Sequence, residues 1–506
     1  MKEKILLINP NFESSFKYKK KGIRENLTMP LGLLCIGTYL KHHGFTVKII
    51  DMNLNTIQTV INEAKEALWI GFSVMTAQIR YALNISQQLK KLVNVPIVWG
   101  GIHPTLFPEQ TCDDDAVDFV VFQEGEETAL ELTNHFKRHD TDYSMIKGIV
   151  YKERETIKKT AERVHIDLNK LPNLDYSLVE VEKYIWKTGR DSVKHRVLNI
   201  ISSRGCPHRC NFCFHVLCND RKYRVKDVDK TIAEIKELVD KYKITALTFS
   251  EDNFFVQRKR VVEICNRLIE GNFDLRWGKT ECRADYFREG HVDDDLLKLI
   301  KKAGCASLSI GAESGSIKTL NMIHKDITPG QIMHAANQLD KHKIRGNFLF
   351  MIGLPNESKK DILLTVKIVK KIQRKYPEIF AITGIYRPYP PGELYTASFR
   401  LAGIKAPEKL RDWIINDYMK LQTFRSDLPW SKHSKLIQNI FFYLYISHFN
   451  KSTYLKRLIN KFGIMGFGFL VFVIWCTFRV NLNFYSIPLE KHIFYYINKK
   501  LNMALI

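Results

Sequence analysis

SSRGCPHRCNFCFH, residues 202–215, sets three cysteines within eight positions. Cys206, Cys210 and Cys213 follow the spacing C-x3-C-x2-C. A structural zinc site takes four protein ligands, a disulfide takes thiols in pairs, and an iron–sulfur cube ordinarily takes four cysteines. Three thiolates leave one metal corner open, which suits chemistry better than a structural staple. His208, His215 and Cys218 lie near enough in the chain to complete a zinc site, so spacing alone leaves that alternative standing.

Working outward, the trio directly follows the strand-like run RVLNIISS (196–203). Five more apolar strands recur at 246–252, 275–282, 306–314, 346–353 and 380–388. Helical patterns at 228–242, 258–271, 293–303 and 329–342 lie between them. Strand–helix units of similar length predict a partial (β/α)6 barrel, whose chemistry belongs at the carboxyl ends of its strands. The cysteines stand at such an end.

Upstream the same rhythm runs through the first 130 residues, with strands at 4–10, 46–52, 69–75, 96–101 and 118–126. The stretch 30–44 has helical periodicity, with Pro30 early and Gly44 past its end, and a second helix covers 77–92. This α/β pattern predicts a doubly wound, Rossmann-like parallel sheet, with ligands at the loops 73–76, 100–105 and 124–127. The expected division is a first domain at 1–145, a linker at 146–190 that opens with a small hairpin in IKGIVYKERETIKKT (146–160), the barrel at 191–400 and a helical, basic and aromatic region at 401–506.

The chain has 506 residues and a net charge of +23, and its ten cysteines are scattered apart from the trio. Scattered thiols suit a reducing compartment and not a secreted disulfide scaffold. The opening MKEKILLINPNFE has too short an apolar run for a signal peptide, so a cytoplasmic location is expected. No nucleic-acid recognition module is visible, so the basic charge is not read as a nucleic-acid partner.

C-x3-C-x2-C after the first strand of a six-unit barrel resembles the radical S-adenosylmethionine (radical SAM) superfamily. That resemblance implies an oxygen-sensitive 4Fe–4S cluster on Cys206, Cys210 and Cys213. Its open iron would chelate SAM, and electron transfer to the sulfonium would yield a 5′-deoxyadenosyl radical. It also implies an electron donor such as a ferredoxin or flavodoxin. By the same resemblance Phe212 holds adenine, and Glu251 and Asp252 in FSEDN lie near the SAM amino group. Glu313 and Ser314 in GAESG lie near the ribose. Gly353 and Pro355 in GLP pack against adenine, while RPYPPGELY closes over the site.

The first domain is similar to that of the cobalamin-binding subclass, through INPN, MPLGLLCIGTYL, GFSVMT and WGGIHPT…EGEET. Cobalamin is the implied cofactor. Gly100 and Gly101 would let backbone approach the corrin. Ser73 and Thr76 would offer hydroxyls, and Glu124 and Gly125 close the same loop set. The D-x-H-x-x-G pattern of many cobalamin proteins is missing from NPNFESSFKYKKKGIREN. His103 is the substitute cobalt ligand within reach, although a plain loop histidine is the preferred reading.

From 428 onward ten lysines and arginines face the single acid Glu490, and residues 462–478 carry no charge. An interfacial membrane segment, a helix buried on the barrel and a short span are the three readings, in that order. Together these features predict a radical SAM enzyme, a cobalamin-dependent methyltransferase acting on an unactivated carbon of an apolar, lipid-like small molecule. Radical cyclisation, carbon–carbon coupling or oxidation is the second reading, and a non-catalytic metal-binding membrane protein the third.

Overall fold

KILLIN and ALWIGFS are apolar on both sides of the strand, and in the folded chain Ile5, Leu6, Leu7, Ile8, Ile70 and Phe72 are almost wholly buried. Runs of that kind form central parallel strands covered by helices on both faces. A computed structural model describes residues 4–11, 27–188, 195–218, 220–390, 392–415, 427–448 and 464–485. The first sheet contains β1 (Lys4–Asn9), β2 (Thr46–Asp51), β3 (Ala67–Ser73), β4 (Ile97–Gly100), β5 (Phe119–Val121), β6 (Ile149–Glu153) and β7 (Thr156–Lys159). Its order is β2-β1-β3-β4-β5-β6-β7. Strands β1 to β5 are parallel, with Lys4 facing Thr46 and Ile70 facing Ile97. Strand order reverses between β1 and β3, and that reversal opens a crevice at the carboxyl edge.

The hairpin expected at 146–160 forms, and the rest of the connector to 190 ends in a strand of the second sheet. Strands β6 and β7 form an antiparallel hairpin on the edge of β5, where Ile149, Val150 and Tyr151 enter the core. Farther on, β8 (Trp186–Thr188) pairs antiparallel with the first strand of the second sheet. A hairpin with a buried face gains more from pairing than from lying in solvent.

The second sheet adds β9 (His195–Ile200), β12 (Ala246–Phe249), β13 (Arg276–Cys282), β14 (Cys305–Glu313), β15 (Arg345–Ile352) and β16 (Ile379–Ile385). They lie parallel in the order β16-β15-β14-β13-β12-β9, with β8 outermost, as a curled half-barrel. The expected first strand, 196–203, ends at Ile200. Two-residue β10 (Ser203–Arg204) turns out of the sheet to pair with β11 (Arg224–Val225), and the cysteine loop is held between them.

Beyond the barrel the chain folds back on both domains. Trp413 packs on His103 and Phe107 of the first domain, with ring centroids 5.0 Å from each. Helix Ser434–His448 buries Ile437, Ile440, Phe442, Tyr443, Leu444 and Ile446 in the main core. Burial, not lipid, therefore accounts for the apolar residues of this helix. Helix Ile464–Asn481 covers most of the uncharged stretch and buries Val473, Cys476 and Val480. Among the described residues no helix is long and apolar enough to cross a membrane. Residues 12–26, where the cobalt-ligand motif was sought, and 449–463 and 486–506 of the basic tail lie outside the described residues.

Candidate active site

The cysteine loop starts at Gly205, whose φ of 86° is open to glycine at little cost. Its N–H donates to Asp252 Oδ2 at 2.8 Å, which ties the loop to the end of β12. Cys206, Cys210 and Cys213 all line one cavity of about 190 Å³. That is roughly six water volumes, room for a multi-iron cluster and far more than one ion fills. Among the described residues no group of three or more His, Cys, Asp or Glu side chains is set to hold a single metal ion. Burial pushes the Cys213 thiol up to about 12 and the Cys206 thiol above its ordinary value. Metal loading must therefore release protons from the site.

Two cations stand beside the trio. Arg283 Nη1 lies 3.8 Å from Cys210 Sγ. Lys325 Nζ, buried, donates to Glu313 Oε1 at 2.9 Å and lies 5.9 Å from the Phe212 ring centroid. Positive charge here offsets what three thiolates would bring. Glu313 takes a φ of 58°, which points its carboxylate into the cavity alongside Phe212 and Asp252.

Other expected SAM contacts go elsewhere. Glu251 accepts from the Ser202 N–H at 2.8 Å and from the Ser202 and Ser203 hydroxyls, with Arg260 bound to the same Ser202. It braces the end of β9, fully committed, and does not line the cluster cavity. Ser314 is buried against Thr365 Oγ1 at 2.9 Å. Gly353 and Pro355 are also buried. The Gly353 carbonyl accepts from Trp430 Nε1 at 2.8 Å, and Leu428 and Ile437 crowd its Cα. The C-terminal region covers this loop, a tertiary contact that no local motif announces.

A second cavity, about 380 Å³, fills the crevice at the carboxyl edge of the first sheet. Gly32, Gly71, Gly100, Gly101 and Gly125 line it with Ser73, Glu124, Ile36 and Phe214. A Cβ on Gly100 would enter this space and meet nothing closer than 3.4 Å, and one on Gly32 nothing within 4 Å. Bare backbone on that scale suits a broad, flat ligand such as a corrin. Thr76 and His103 are not in the lining. His103 is wholly buried, with Nδ1 3.2 Å from Thr76 Oγ1 and its ring against Phe107 and Trp413. Burial holds its pKa down to about 3. His103 packs in the core, Thr76 is half-buried beside it, and neither lines the crevice.

Glu124 joins the domains. Burial raises its pKa, but the neighbouring His165 and the Arg224 and Arg204 guanidiniums outweigh that and hold it well below the usual carboxylate range. Arg204 spans Glu124 at 2.9 Å and Glu126 at 2.6 Å. Arg204→Ala is expected to cost about 3 kcal/mol, because Glu126 is left buried without its cation. A melting temperature unchanged within error would refute this.

The two cavities meet. His215 Nε2 lies 2.7 Å from Asp252 Oδ1, and both residues line the cluster cavity and the crevice alike. Sequence reading passed over Asn253, Glu281, Arg283, Lys325 and Leu349 as site residues, all of which line the cluster cavity. Glu281 and Arg283 lie at the carboxyl end of β13, so the barrel rule could have found them. Lys325 arrives from a loop and carries no such signal. Burial pushes Glu281 up to about 7, with the Glu313 charge adding and Lys325 opposing. An acid whose folded pKa exceeds its ordinary 4.5 stabilises the fold at low pH, and that stability is lost as pH rises to about 7. Glu281→Gln should thus remove roughly 3 kcal/mol from the stability lost between pH 4.5 and 8. Paired melts at the two pH values check it.

Comparisons agree with this architecture. The B12 binding domain family matches residues 24–133, and the Radical SAM superfamily matches residues 200–369. An uncharacterised methyltransferase of Pyrococcus horikoshii is 28% identical over 451 residues, 88% of this chain and 92% of that protein. An anaerobic magnesium-protoporphyrin IX monomethyl ester cyclase of Rubrivivax gelatinosus is 28% identical over 405 residues, covering 78% and 69%. The structure of the cobalamin-dependent S-adenosylmethionine radical enzyme OxsB, with aqua-cobalamin and S-adenosylmethionine bound, superposes with a TM-score of 0.69. The match spans 99% of this chain and 76% of that one at 16% identity, a likeness of fold. The cofactors are a 4Fe–4S cluster, SAM and cobalamin, and an electron donor is required. The chain thus combines a B12 binding domain with a radical SAM domain.

Proposed function

We propose that this enzyme transfers a methyl group to an unactivated carbon of an apolar small molecule. One observation carries the reading: the crevice and the cluster cavity share His215 and Asp252 as a common wall. When bound, cluster and SAM supply the radical and cobalamin supplies the methyl group. In this reading Cys206, Cys210 and Cys213 hold the cluster, while Phe212, Asp252 and Glu313 position SAM. Ser73, Gly100, Gly101 and Gly125 seat the corrin. An apolar substrate fits the inner face of the half-barrel at β15 and β16. There Leu349 and its register partner Ile382 are 39% and 44% exposed, although both sit on strands. Leaving two such side chains open to water is unfavourable unless a ligand covers them.

Cyclisation is the second reading, favoured by relatives named as cyclases. SAM bearing a trideuterated methyl group, fed to the reduced holoenzyme with a lipid extract, separates them. Methyl transfer gives a product heavier by about 17 daltons. Production of 5′-deoxyadenosine with no label in any product would sink the methylation reading and leave cyclisation.

A further inference from the structure

Helix Lys359–Lys375 buries Ile362, Val366, Val369 and Ile372 and turns its other face outward. That outer face is almost entirely cationic. Lys359, Lys360, Lys367, Lys371 and Lys375, with Lys435 from the next helix, are exposed round a shallow basin of about 1390 Å³. No carboxylate lines the basin, and none of these six lysines forms an ion pair among the described residues. So much unpaired like charge is destabilising by itself and calls for an anionic partner.

An apolar stripe adjoins it. Helix Ile464–Asn481 is mostly apolar in sequence, and its inward residues Val473, Cys476 and Val480 are at most 3% exposed. Opposite them, Val471, Ile474, Trp475, Phe478 and Leu482 lie 49–62% exposed. Helical spacing places these five on one face. A globular helix normally keeps that face polar. The two surfaces are physically joined. Lys370 Nζ donates to the carbonyls of Val480 and Asn481 at 2.7 and 3.2 Å, and Arg374 Nη2 donates to Asn481 Oδ1 at 2.8 Å.

We propose that this joint surface docks the enzyme on an anionic phospholipid bilayer. Charge complementarity selects that occupant. A second copy of the chain would bring one lysine basin against another, and a neutral apolar partner would leave the lysines unpaired. An anionic bilayer meets both demands, with headgroups for the lysines and the acyl boundary for Trp475 and Phe478. The surface stands on its own observations, whatever reaction the barrel performs.

The test is sedimentation of the full-length holoenzyme with phosphatidylglycerol vesicles and with phosphatidylcholine vesicles. Binding to the former alone, weakening as salt rises, is expected. Lys367→Glu/Lys371→Glu/Lys375→Glu should reduce partition by about a hundredfold. Trp475→Ser/Phe478→Ser should reduce it about tenfold or more. All five positions are exposed, and unchanged cluster and cobalamin absorption spectra confirm that each variant is folded. Failure of the wild type to sediment with phosphatidylglycerol overturns the proposal. So does equal binding to both lipids. A dimer that Phe478→Ser dissolves, without vesicle binding, overturns it in favour of a second copy.

Discussion

Cys210→Ala is expected to abolish both iron–sulfur absorption and 5′-deoxyadenosine formation while leaving the fold in place. Cys210 lies between the other two cysteines in sequence, is 7% exposed, and faces Arg283 across 3.8 Å. Without its thiolate two cluster corners lack protein ligands, and SAM loses the single open iron that would orient it. Removing one buried sulfur from a cavity wall costs about 1–2 kcal/mol, too little to unfold a domain of this size. Iron content, the visible spectrum and SAM cleavage are the readouts, with a melting curve as the control for folding. SAM cleavage at the wild-type rate would overturn the cluster assignment.

Gly100→Leu is expected to empty the crevice of cobalamin and spare SAM cleavage. Gly100 shares a strand face with Val98, and both line the crevice. A Cβ there has 3.4 Å to the Val121 carbonyl, so the backbone tolerates it and the rest of the leucine projects into the cavity. A clash of that kind with the ligand, about 1–3 kcal/mol, corresponds to a loss in cobalamin affinity of about five- to 150-fold. Cobalt content after reconstitution with hydroxocobalamin should fall accordingly, while the cluster stays loaded. About one cobalt per chain in the variant would place cobalamin elsewhere.

Much of this molecule was legible in its residues because the signals were local. Parallel strands buried on both faces are continuous apolar runs, and the five parallel strands of the first sheet and the six of the second occur where those runs lie. Three thiols within eight positions need no long-range information to be seen as a site. Functional placement of the carboxylates was less legible. Glu251 and Asp252 are adjacent in FSEDN, yet the loop after β12 turns one into the Ser202–Ser203 brace and the other toward the cysteine loop. Ser314 and Glu313 divide in the same way, the first to Thr365 and the second to Lys325.

By itself, then, the sequence determined the two α/β units and the clustering of the three cysteines, because periodicity and short spacing are properties of neighbouring residues, and its family resemblance indicated the cofactor class. Only the tertiary structure decided which polar groups face the cavities. It took Thr76 and His103 out of the crevice and buried Gly353 beneath Trp430. It joined Glu124 to Arg204 and Arg224, and it set a lysine helix beside a half-exposed apolar stripe. Each of these depends on residues tens to hundreds of positions apart. Competition among burial, hydrogen bonding and charge settles such contacts only once the sheets have closed.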